Sequence, residues 1–488
     1  MTAGAERAVG AGRPARLCDA ALAGLPADVR RPGYARSGVA IGVVHLGVGN
    51  FHRAHQAIAF DDLLAAGDLR WGVCGVSLRR AATRDALRPQ DGLYALLERD
   101  GGGTRVRVPG ALRELLLAPA QRAAAIARLA DPAVRAVTLT ITEKGYDDAG
   151  PHGAIALLRD GLAARRAAGA GGLTLLSCDN LAGNGRRLRA GLLRAAADDA
   201  ALTAWLERET TCPDTMVDRI VPATVDADRE EAAARLGCTD AWPVACEPFS
   251  QWVVEASFAG GAPPLERVGV QVVADVAAWE AMKLRLLNAA HTALAMLGAP
   301  AGIATVDAAI AEPRLAAFVE RLWAQAAAVL PTAVRAEAPA YAARLRTRFG
   351  NPALRHRLVQ IAQDTSRKLP QRLVATVDDA LAAGLPHDAP LLAVAAWMRW
   401  CAGEDERGRD LPLDDPLAPR LRAAARTPGE ALEAVRALLA LPEVFPAHWA
   451  HDPARTHALA RALTALRASG LDALERHAHG PAAGSAAL

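Results

Sequence analysis

The chain has 488 residues, of which 52% are hydrophobic and 22% are charged, with a net charge of +3. This length exceeds that of one ordinary domain, and the composition is that of a globular protein with a large core. The small, scattered charge argues against a nucleic-acid-binding protein, and because no run of about 18 apolar residues occurs, we expect no membrane span.

The seven cysteines are an odd number and form no CxxC pair. The sequence therefore predicts neither a disulfide framework nor a zinc site. Residues 1–20 contain no apolar signal core, which favours a cytoplasmic location. The cysteines therefore give no reason to expect a bound metal.

Apolar, β-branched runs alternate with helical patterns in the first half of the chain. The runs are 39–46, 71–78, 133–142 and 173–178. Strands that alternate with helices predict a doubly wound, parallel sheet of the Rossmann type, in an α/β fold. Beyond about residue 275 the pattern is helical and rich in Ala and Leu. The expected divisions are a loose leader at 1–37, a Rossmann-type dinucleotide-binding domain at 38–275, a helical substrate domain at 276–478 and a flexible tail at 479–488.

The first predicted strand runs into the sequence HLGVGNFHRAH, with Gly47 and Gly49 in a G-x-G-x-x-H pattern and His52 at the third position. A tight turn between a strand and a helix lets backbone N–H groups approach a pyrophosphate. We therefore expect Gly47, Gly49, Phe51, His52 and Arg53 to form a cofactor-binding turn. The alternative is an ordinary loop between a strand and a helix.

The second predicted strand is followed by Arg79 and Arg80, and no acidic residue occurs before Asp85. In NAD enzymes an acidic side chain near this place binds the adenosine ribose, whereas an arginine accommodates the 2′-phosphate of NADP. The residues alone therefore favour NADP over NAD as the cofactor. Arginine is abundant in this chain, so a background arginine explains the pattern equally well.

Lysine is rare, since only Lys144, Lys283 and Lys368 occur among 56 Lys and Arg residues. Lys283 lies in a predicted helix that ends near Gly298. At about 100° per residue, Glu280, Asn288 and His291 fall within about 140° of Lys283, on one arc. Polar residues on a mostly buried helix are costly unless they pair or function.

A buried lysine is suited to proton transfer because desolvation lowers its pKa, whereas arginine keeps its proton. This favours Lys283 as a general base. The alternative is a Lys283–Glu280 ion pair that only fixes the packing. Lys144 directly follows the third predicted strand, and the carboxyl ends of parallel strands are where ligands bind.

The fourth predicted strand leads into SCDNLAGNG, which contains Asn180. A side-chain amide can donate a hydrogen bond to a developing alkoxide. A turn capped by Asx side chains accounts for the same composition.

Seven motifs together resemble the mannitol dehydrogenase family of long-chain, polyol-specific dehydrogenases. They run in order from about residue 40 to residue 372: HLGVGNFHRAHQ, TEKGY, SCDNLAGNG, MVDRIVP, CEPFSQW, KLRLLNAAH and DTSRKLPQR. The resemblance implies a zinc-independent, NAD(P)-dependent oxidation of a secondary alcohol in a small-molecule sugar acid or polyol, and we expect the protein to be a monomer or weak oligomer. NAD is the expected cofactor because the family often uses it, and NADP stays open.

The resemblance also implies roles for single residues. Lys283 is the expected general base, Asn180 and Asn288 hold the oxyanion, and His291 orients the substrate hydroxyl. Glu143 and Glu280 are expected to pass the proton to solvent. The resemblance further places two residues beside the nicotinamide: Val217 and Asp218.

TEKGY and SRKLPQR are closer to the fructuronate reductase branch than to mannitol 2-dehydrogenase. A cation near the pocket suits a substrate that carries a carboxylate, so Lys144, Lys368 and Arg372 are expected to bind substrate. The favoured reaction interconverts D-mannonate and D-fructuronate, and the alternative interconverts D-mannitol and D-fructose. A nucleotide-binding sensor without turnover is a remote alternative.

Overall fold

The computed structural model of the chain describes residues 15–146, 150–261 and 263–478. It divides after Val276 into two units. The first part of the expected leader, residues 1–14, and the expected tail, residues 479–488, lie outside the described residues.

A parallel six-stranded sheet organises the first unit, with the strand order β5-β2-β1-β6-β7-β8. The strands of this unit are β1 (Ile41–Leu46), β2 (Gly72–Ser77), β3 (Leu96–Asp100), β4 (Gly103–Arg107), β5 (Leu112–Leu117), β6 (Ala136–Leu139), β7 (Leu173–Ser177), β8 (Thr210–Thr211), β9 (Thr215–Asp218), β10 (Val244–Cys246), β11 (Gln251–Glu255) and β12 (Gln271–Val273). The chain order reverses at β1, which has β2 on one side and β6 on the other. The predicted Rossmann-type sheet is confirmed.

Helices cover both faces of this sheet. They are α1 (Asn50–Ala54), α2 (Gln56–Ala65), α3 (Ala82–Leu87), α4 (Ala118–Ala130), α5 (Glu143–Tyr146), α6 (Ala154–Ala167), α7 (Asn184–Ala195), α8 (Ala200–Glu209) and α9 (Asp226–Leu236). Successive side chains of a strand point to opposite faces, so Val44 and Leu46 pack with Leu158 on one side. Val43 packs with Phe60 on the other. Burial on both faces explains why these strands are continuous apolar runs.

The expected helix from Arg53 to Ala66 is two helices, α1 and α2. The chain turns between them at His55, whose φ of −127° and ψ of −85° are not helical. The predicted strands 39–46 and 133–142 are shorter in the structure, as β1 and β6.

Residues 15–37, whose composition led us to expect a loose segment, pack onto the rest of the unit. Leu17, Leu25 and Val29 belong to a buried cluster with Leu97 and Leu236. Leu17, Leu25, Val29 and also Arg36 are buried in this segment, so its overall composition was a poor guide.

Two smaller sheets complete the first unit, in the orders β10-β3-β4 and β12-β11-β9. β9 pairs antiparallel with β11, with Val217 opposite Trp252 and Asp218 opposite Gln251.

The second unit is helical over its described residues. Its α-helices are α10 (Ala277–Met282), α11 (Ala289–Gly298), α12 (Val306–Ala311), α13 (Pro313–Ala328), α14 (Thr332–Arg335), α15 (Ala338–Phe349), α16 (Leu358–Ile361), α17 (Thr365–Leu369), α18 (Ala375–Ala382), α19 (Asp388–Trp400), α20 (Ala418–Ala425), α21 (Ala431–Leu439), α22 (Ala447–Ala450), α23 (Pro453–Ser469) and α24 (Ala473–Ala478). Two π-helical turns interrupt this pattern, at Lys283–Asn288 and Pro370–Val374.

The core of the helical unit is built on α19, which packs against α11 and α23. Trp397 of α19 is fully buried, and its ring contacts that of Phe445 edge-on at 5.8 Å. Within the described part of the chain, no helix combines the length and the apolar character that crossing a membrane requires.

Candidate active site

The glycine turn lies directly after β1, at the point where the order of the parallel strands reverses. Gly47 has φ +99°, and a Cβ there would lie 2.2 Å from the carbonyl oxygen of Thr140, so the fold itself demands glycine. Gly49 has an ordinary φ of −99°, and the nearest atom to a Cβ there is 3.9 Å away. No described neighbour requires glycine at position 49, so the space beside it is suited to a ligand that approaches the backbone.

His52 occupies the position of the third glycine, and its side chain turns into the protein. Its ring stacks on that of His45 of β1, with the ring centroids 3.3 Å apart. Within the described residues neither of its ring nitrogens has a hydrogen-bond partner. The ring packs the start of α1 against β1, and the expected place of His52 in a cofactor-binding turn stays a prediction.

The two stacked imidazoles are held neutral by burial. Burial lowers the pKa of His45 to about 3. Burial and the nearby His45, Arg53 and His55 lower the pKa of His52 well below its usual value. His45 contacts the Thr138 hydroxyl at 2.8 Å. Both rings therefore act as uncharged packing groups under the glycine turn.

The side chain of Arg53 is held by contacts inside the first unit. Its guanidinium donates to the carbonyl of Trp242 at 2.5 Å and to the side chain of Asn50 at 2.8 Å. It lies over the ring of Tyr94, 5.2 Å from the centroid, and is fully buried. The guanidinium is therefore directed into the unit, and the expected place of Arg53 in the cofactor-binding turn stays a prediction.

Phe51 is the remaining predicted residue of this turn, and it is half-buried. Its ring stacks on that of His55 with the centroids 5.0 Å apart. This contact packs the turn between α1 and α2, and its predicted role in cofactor binding stays a prediction.

Asp179 joins the loops that follow β6 and β7. Its carboxylate accepts hydrogen bonds from the backbone N–H groups of Ile141 and Thr142, at 3.0 and 2.8 Å, and from the Tyr146 hydroxyl at 2.6 Å. Burial raises the pKa of Asp179, while these hydrogen bonds oppose the increase. Sequence reasoning quoted Asp179 and Tyr146 only as letters in motifs, because nothing in the sequence pairs two residues that lie 33 positions apart.

This network fixes the segments that carry two predicted site residues. Asn180 is exposed and directly follows Asp179, and Glu143 is exposed at the start of α5. Glu143 forms an ion pair with Arg187 of α7, with 3.4 Å between Nη1 and Oε1. Lys144 belongs to α5, and its side chain lies outside the described part. Glu143 and Asn180 are thus both placed at the carboxyl end of the sheet.

Val217 and Asp218 end strand β9, and both are buried. The following residue, Arg219, donates to the carbonyl of Glu247 and pairs with Glu98 at 2.6 Å. Strand pairing with β11 and this arginine hold the segment in place.

In the helical unit, Lys283 and Asn288 are the first and last residues of one π-helical turn. The sequence pattern predicts one continuous α-helix, and this prediction is wrong for residues 283–288, which form the π-helical turn. A π-helix bonds residue i to residue i+5, so Lys283 and Asn288 lie on nearly the same side of the turn, closer than the 100° spacing implied. The side chains of Lys283 and Asn288 are 7% and 9% exposed, and His291 follows in α11 at 6%.

Arg372 contacts the end of this π-helical turn. Its Nη1 donates to the Thr292 hydroxyl at 3.0 Å and lies 3.4 Å from the Asn288 carbonyl oxygen, which also accepts from Thr292 at 3.0 Å. Side-chain donors at a helical carbonyl compete with the regular backbone pattern. Arg372 lies in the second π-helical turn, which starts at Pro370, a residue with no N–H to donate.

Arg372 is buried, and the described residues provide no carboxylate that forms an ion pair with it. Burial lowers the pKa of Arg372 to about 10, so it remains a cation at neutral pH. Lys368 is half-buried and donates to the Gln363 carbonyl at 2.5 Å. Burial, followed by the charge of Arg372, lowers the pKa of Lys368, although Asp364 and Asp415 act in the opposite direction.

His291 is packed between two rings that sequence reasoning missed. It stacks on Phe349 at 4.4 Å and meets His356 edge-on at 5.5 Å. Burial lowers the pKa of His356. Both residues lie more than 50 positions from His291, and no local pattern signals such contacts. Glu280, in the first turn of α10, is half-buried.

Comparison with known proteins identifies both units. The Mannitol dehydrogenase Rossmann domain matches residues 41–267, and the Mannitol dehydrogenase C-terminal domain matches residues 275–467. This chain belongs to the mannitol dehydrogenase family. It is therefore an oxidoreductase of that family, as the motifs predicted.

The relatives of this chain carry names that refer to different substrates. The chain is 39% identical to D-mannonate oxidoreductase of Escherichia coli over 449 residues, covering 86% of this chain and 91% of the relative. It is 37% identical to mannitol 2-dehydrogenase of Cereibacter sphaeroides over 478 residues, covering 92% and 98%. Mannitol 2-dehydrogenase of Pseudomonas fluorescens, solved as a ternary complex with NAD and D-mannitol, matches with a TM-score of 0.83 and 35% identity, covering 96% of this chain and all of the other.

Proposed function

We propose that this protein is an NAD(P)-dependent fructuronate reductase-like enzyme that interconverts D-mannonate and D-fructuronate without zinc. Residues 38–275 bind the dinucleotide, and residues 276–478 supply the groups that bind substrate. NAD is the cofactor of the related ternary complex. The open backbone at Gly49, where a side chain would meet no protein atom closer than 3.9 Å, fits a bound pyrophosphate.

In the proposed mechanism, Lys283 accepts the hydroxyl proton while the C–H bond of the same carbon is broken. The bound nicotinamide supplies the hydride acceptor. A neutral amine is needed for this step, and Lys283 is buried, with 7% of its surface exposed. In the reverse direction the protonated Lys283 returns the proton to the carbonyl oxygen.

The amides hold the oxygen at which charge develops. Asn180 and Asn288 each donate an N–H to this oxygen, an interaction that strengthens as the charge grows. The Oδ1 atom of Asn288 is buried and has no hydrogen-bond partner among the described residues. His291 orients the substrate hydroxyl, and its stacking on Phe349 restricts the rotation of its ring.

Glu280 and Glu143 pass the proton onward to solvent in this scheme. Glu280 is half-buried and Glu143 is exposed. In this scheme the proton moves from the half-buried carboxylate to the exposed one and then to solvent. Val217 and Asp218 contact the nicotinamide end of the cofactor. These roles rest on the motifs and on the family.

The observation that carries the choice of substrate is the buried Arg372 cation. Desolvating a cation without a carboxylate partner is unfavourable, and a sugar acid would supply the missing carboxylate. An arginine can bind a carboxylate through two parallel hydrogen bonds. Lys368 adds a second positive charge nearby, and Lys144 is proposed as a third.

A mannitol 2-dehydrogenase-like activity on D-mannitol and D-fructose is the second candidate. It is favoured by the relatives that carry this name and by the related complex with D-mannitol. A polyol has no carboxylate, so it would leave Arg372 with neutral hydrogen-bond partners only.

The test is the effect of Lys368→Ala and Lys144→Ala on the reduction of D-fructuronate and of D-fructose. Each change should lower kcat/KM for fructuronate by about tenfold and affect fructose less. Arg367→Ala removes an exposed cation next to Lys368 and should leave the ratio of the two substrates unchanged. Equal losses on both substrates would refute the carboxylate assignment.

A further inference from the structure

Thr142, in the loop after β6, has a backbone conformation that is unusual for its residue type. Its φ is +65°, and it is the one β-branched residue among the four described non-glycine residues with positive φ. A β-branched side chain is disfavoured in this left-handed region because its Cβ crowds the backbone. Such strain persists where surrounding contacts hold it, often at functional sites. The next residue is Glu143, which the proposed mechanism places on the path of the proton to solvent.

The carboxylate of Asp179 holds this conformation from the loop after β7. Its Oδ1 accepts from the N–H of Thr142 at 2.8 Å, and its Oδ2 accepts from the N–H of Ile141 at 3.0 Å. Tyr146, the last residue of α5, donates its hydroxyl to Oδ2 at 2.6 Å. Asp179 is buried, so water competes little for these bonds. Because Glu143 lies between Thr142 and Tyr146 in the chain, both ends of its segment are bonded to one carboxylate.

The backbone of Asp179 is itself fixed by Asn184, which is fully buried. The Asn184 side-chain amide donates to the Asp179 carbonyl at 3.0 Å and to the Thr215 carbonyl of β9 at 2.8 Å. The N–H of Thr215 donates back to the amide oxygen of Asn184 at 2.9 Å. These bonds join the loop after β7 to β9, and Asn180 directly follows Asp179 in this loop. The Asp179 carboxylate therefore connects the position of Asn180 to that of Glu143.

We propose that Asp179 is a positioning residue of the reaction, because its carboxylate keeps Thr142 in the left-handed conformation and thereby sets Glu143 relative to Asn180. The inference rests on the proposed function and extends it to a residue that acts through its neighbours. An ionised carboxylate is suited to this task because both of its oxygens accept hydrogen bonds, whereas an amide offers one acceptor oxygen and an NH₂ group that only donates.

The first experiment compares the kinetics of Asp179→Asn with those of the wild type, using the ketose that is turned over. Asparagine has nearly the same size, but its NH₂ group leaves at least one of the two backbone N–H groups without an acceptor. We expect kcat to fall by about tenfold or more, because misplaced groups lose transition-state stabilisation. The KM of the ketose and the NADH affinity, measured by fluorescence titration, should stay within about twofold.

Asp240→Asn is the matched control for the loss of a buried carboxylate. The Asp240 carboxylate accepts from the N–H groups of Ala95 and Trp242, at 2.6 and 2.9 Å, and neither residue adjoins a candidate catalytic residue. This change should lower the stability of the protein and leave kcat within about twofold of the wild type. A kcat that falls equally in both variants would overturn the inference, because general destabilisation would then explain the effect.

Thr142→Gly tests whether the strained backbone carries the effect, since glycine adopts a positive φ without the steric cost. Added to Asp179→Asn, it should raise kcat by about threefold or more. A kcat of Asp179→Asn within about twofold of the wild type, or a loss that Thr142→Gly leaves unchanged, overturns the inference. If Asp179→Asn does not fold, Tyr146→Phe removes one donor to the carboxylate and keeps the ring. It should lower kcat by about threefold, and an unchanged kcat overturns the inference.

Hydrogen exchange of residues 136–146 separates this inference from the proposed function. The amides of Ile141 and Thr142 should be protected in the wild type and lose this protection in Asp179→Asn. If the wild type reduces neither D-fructuronate nor D-fructose although these amides behave as expected, the proposed function fails and the bonding of the two loops by Asp179 stands. Unprotected amides in an active wild-type enzyme would overturn the role of Asp179 and leave the proposed function in place.

Discussion

Lys283 is the residue on which the proposed chemistry depends. It is one of three lysines among 56 Lys and Arg residues, and its side chain is 7% exposed. Arginine at this place would remain protonated, whereas a desolvated lysine can lose its proton near neutral pH. The rarity of lysine in this chain therefore has a chemical explanation at this position.

We predict that Lys283→Arg lowers kcat for alcohol oxidation by about a hundredfold or more, because arginine keeps the charge but cannot accept the proton. Lys283→Ala should cause a similar loss. NADH affinity, measured by fluorescence titration, should change little in both variants. A Lys283→Arg protein that retains most of its activity would show that another group is the base.

At the residue scale, the sequence shows which candidate residues lie together only where they share one helical segment. Lys283, Asn288 and His291 lie within nine positions on one helical segment, so spacing alone groups them. His52 and Arg53 were assigned to cofactor because they follow the glycine turn. Their side chains contact His45 and Trp242, partners that only the tertiary fold brings near.

At the scale of elements, the turn after β1 separates two kinds of glycine. Gly47 is required by its positive φ and by the nearby Thr140 carbonyl, whereas Gly49 has room for a side chain. The sequence pattern G-x-G does not distinguish them. The structure therefore assigns a folding role to Gly47, and the proposed role of Gly49 is to let the backbone approach a bound pyrophosphate.

We predict that Gly49→Ala leaves the free energy of unfolding within about 0.5 kcal/mol of the wild type but weakens NADH binding by about tenfold. Gly47→Ala is the matched control, and it should destabilise the fold by about 1–3 kcal/mol. Urea unfolding and fluorescence titration measure the two effects. Unchanged NADH affinity in Gly49→Ala would mean that the pyrophosphate lies elsewhere.

The two π-helical turns are the elements that sequence periodicity missed. The apolar pattern around Lys283 fits an α-helix, and the widening of the turn coincides with hydrogen bonds from Thr292 and Arg372, the latter 84 positions from Asn288. By contrast, strands β1, β2, β6 and β7 were predictable, because burial on both faces favours an apolar run. Strands β5 and β8 of the same sheet were not predicted, since β5 has the sequence LRELLL and β8 has only two residues.

At the scale of the whole molecule, buried neutral histidines link stability to pH. The folded pKa of His45 is about 3, and that of His52 is also well below the usual value. Unfolding exposes both rings and returns their pKa values to about 6.5. Between these values the unfolded state binds more protons than the folded state, so stability increases with pH.

We predict that the N-terminal unit loses stability as the pH falls below about 6.5, by at most about 1.4 kcal/mol per pH unit for each of these histidines. Hydrogen exchange of the β1 amides at several pH values, corrected for intrinsic rates, measures this. His52→Phe should reduce the slope, and His451→Gln, which changes an exposed histidine, should not. An unchanged slope in His52→Phe would mean that His52 is already protonated in the folded protein.

The most direct measurement of the proposed function is the ratio of kcat/KM for D-fructuronate to that for D-fructose in the wild-type enzyme, with NADH as the reductant. The buried Arg372 cation and the nearby Lys368 predict a ratio of about ten or more. A ratio of one or below would contradict the assignment of a sugar acid and favour the polyol reaction. If neither ketose is turned over although NADH binds, the proposed dehydrogenase activity is contradicted.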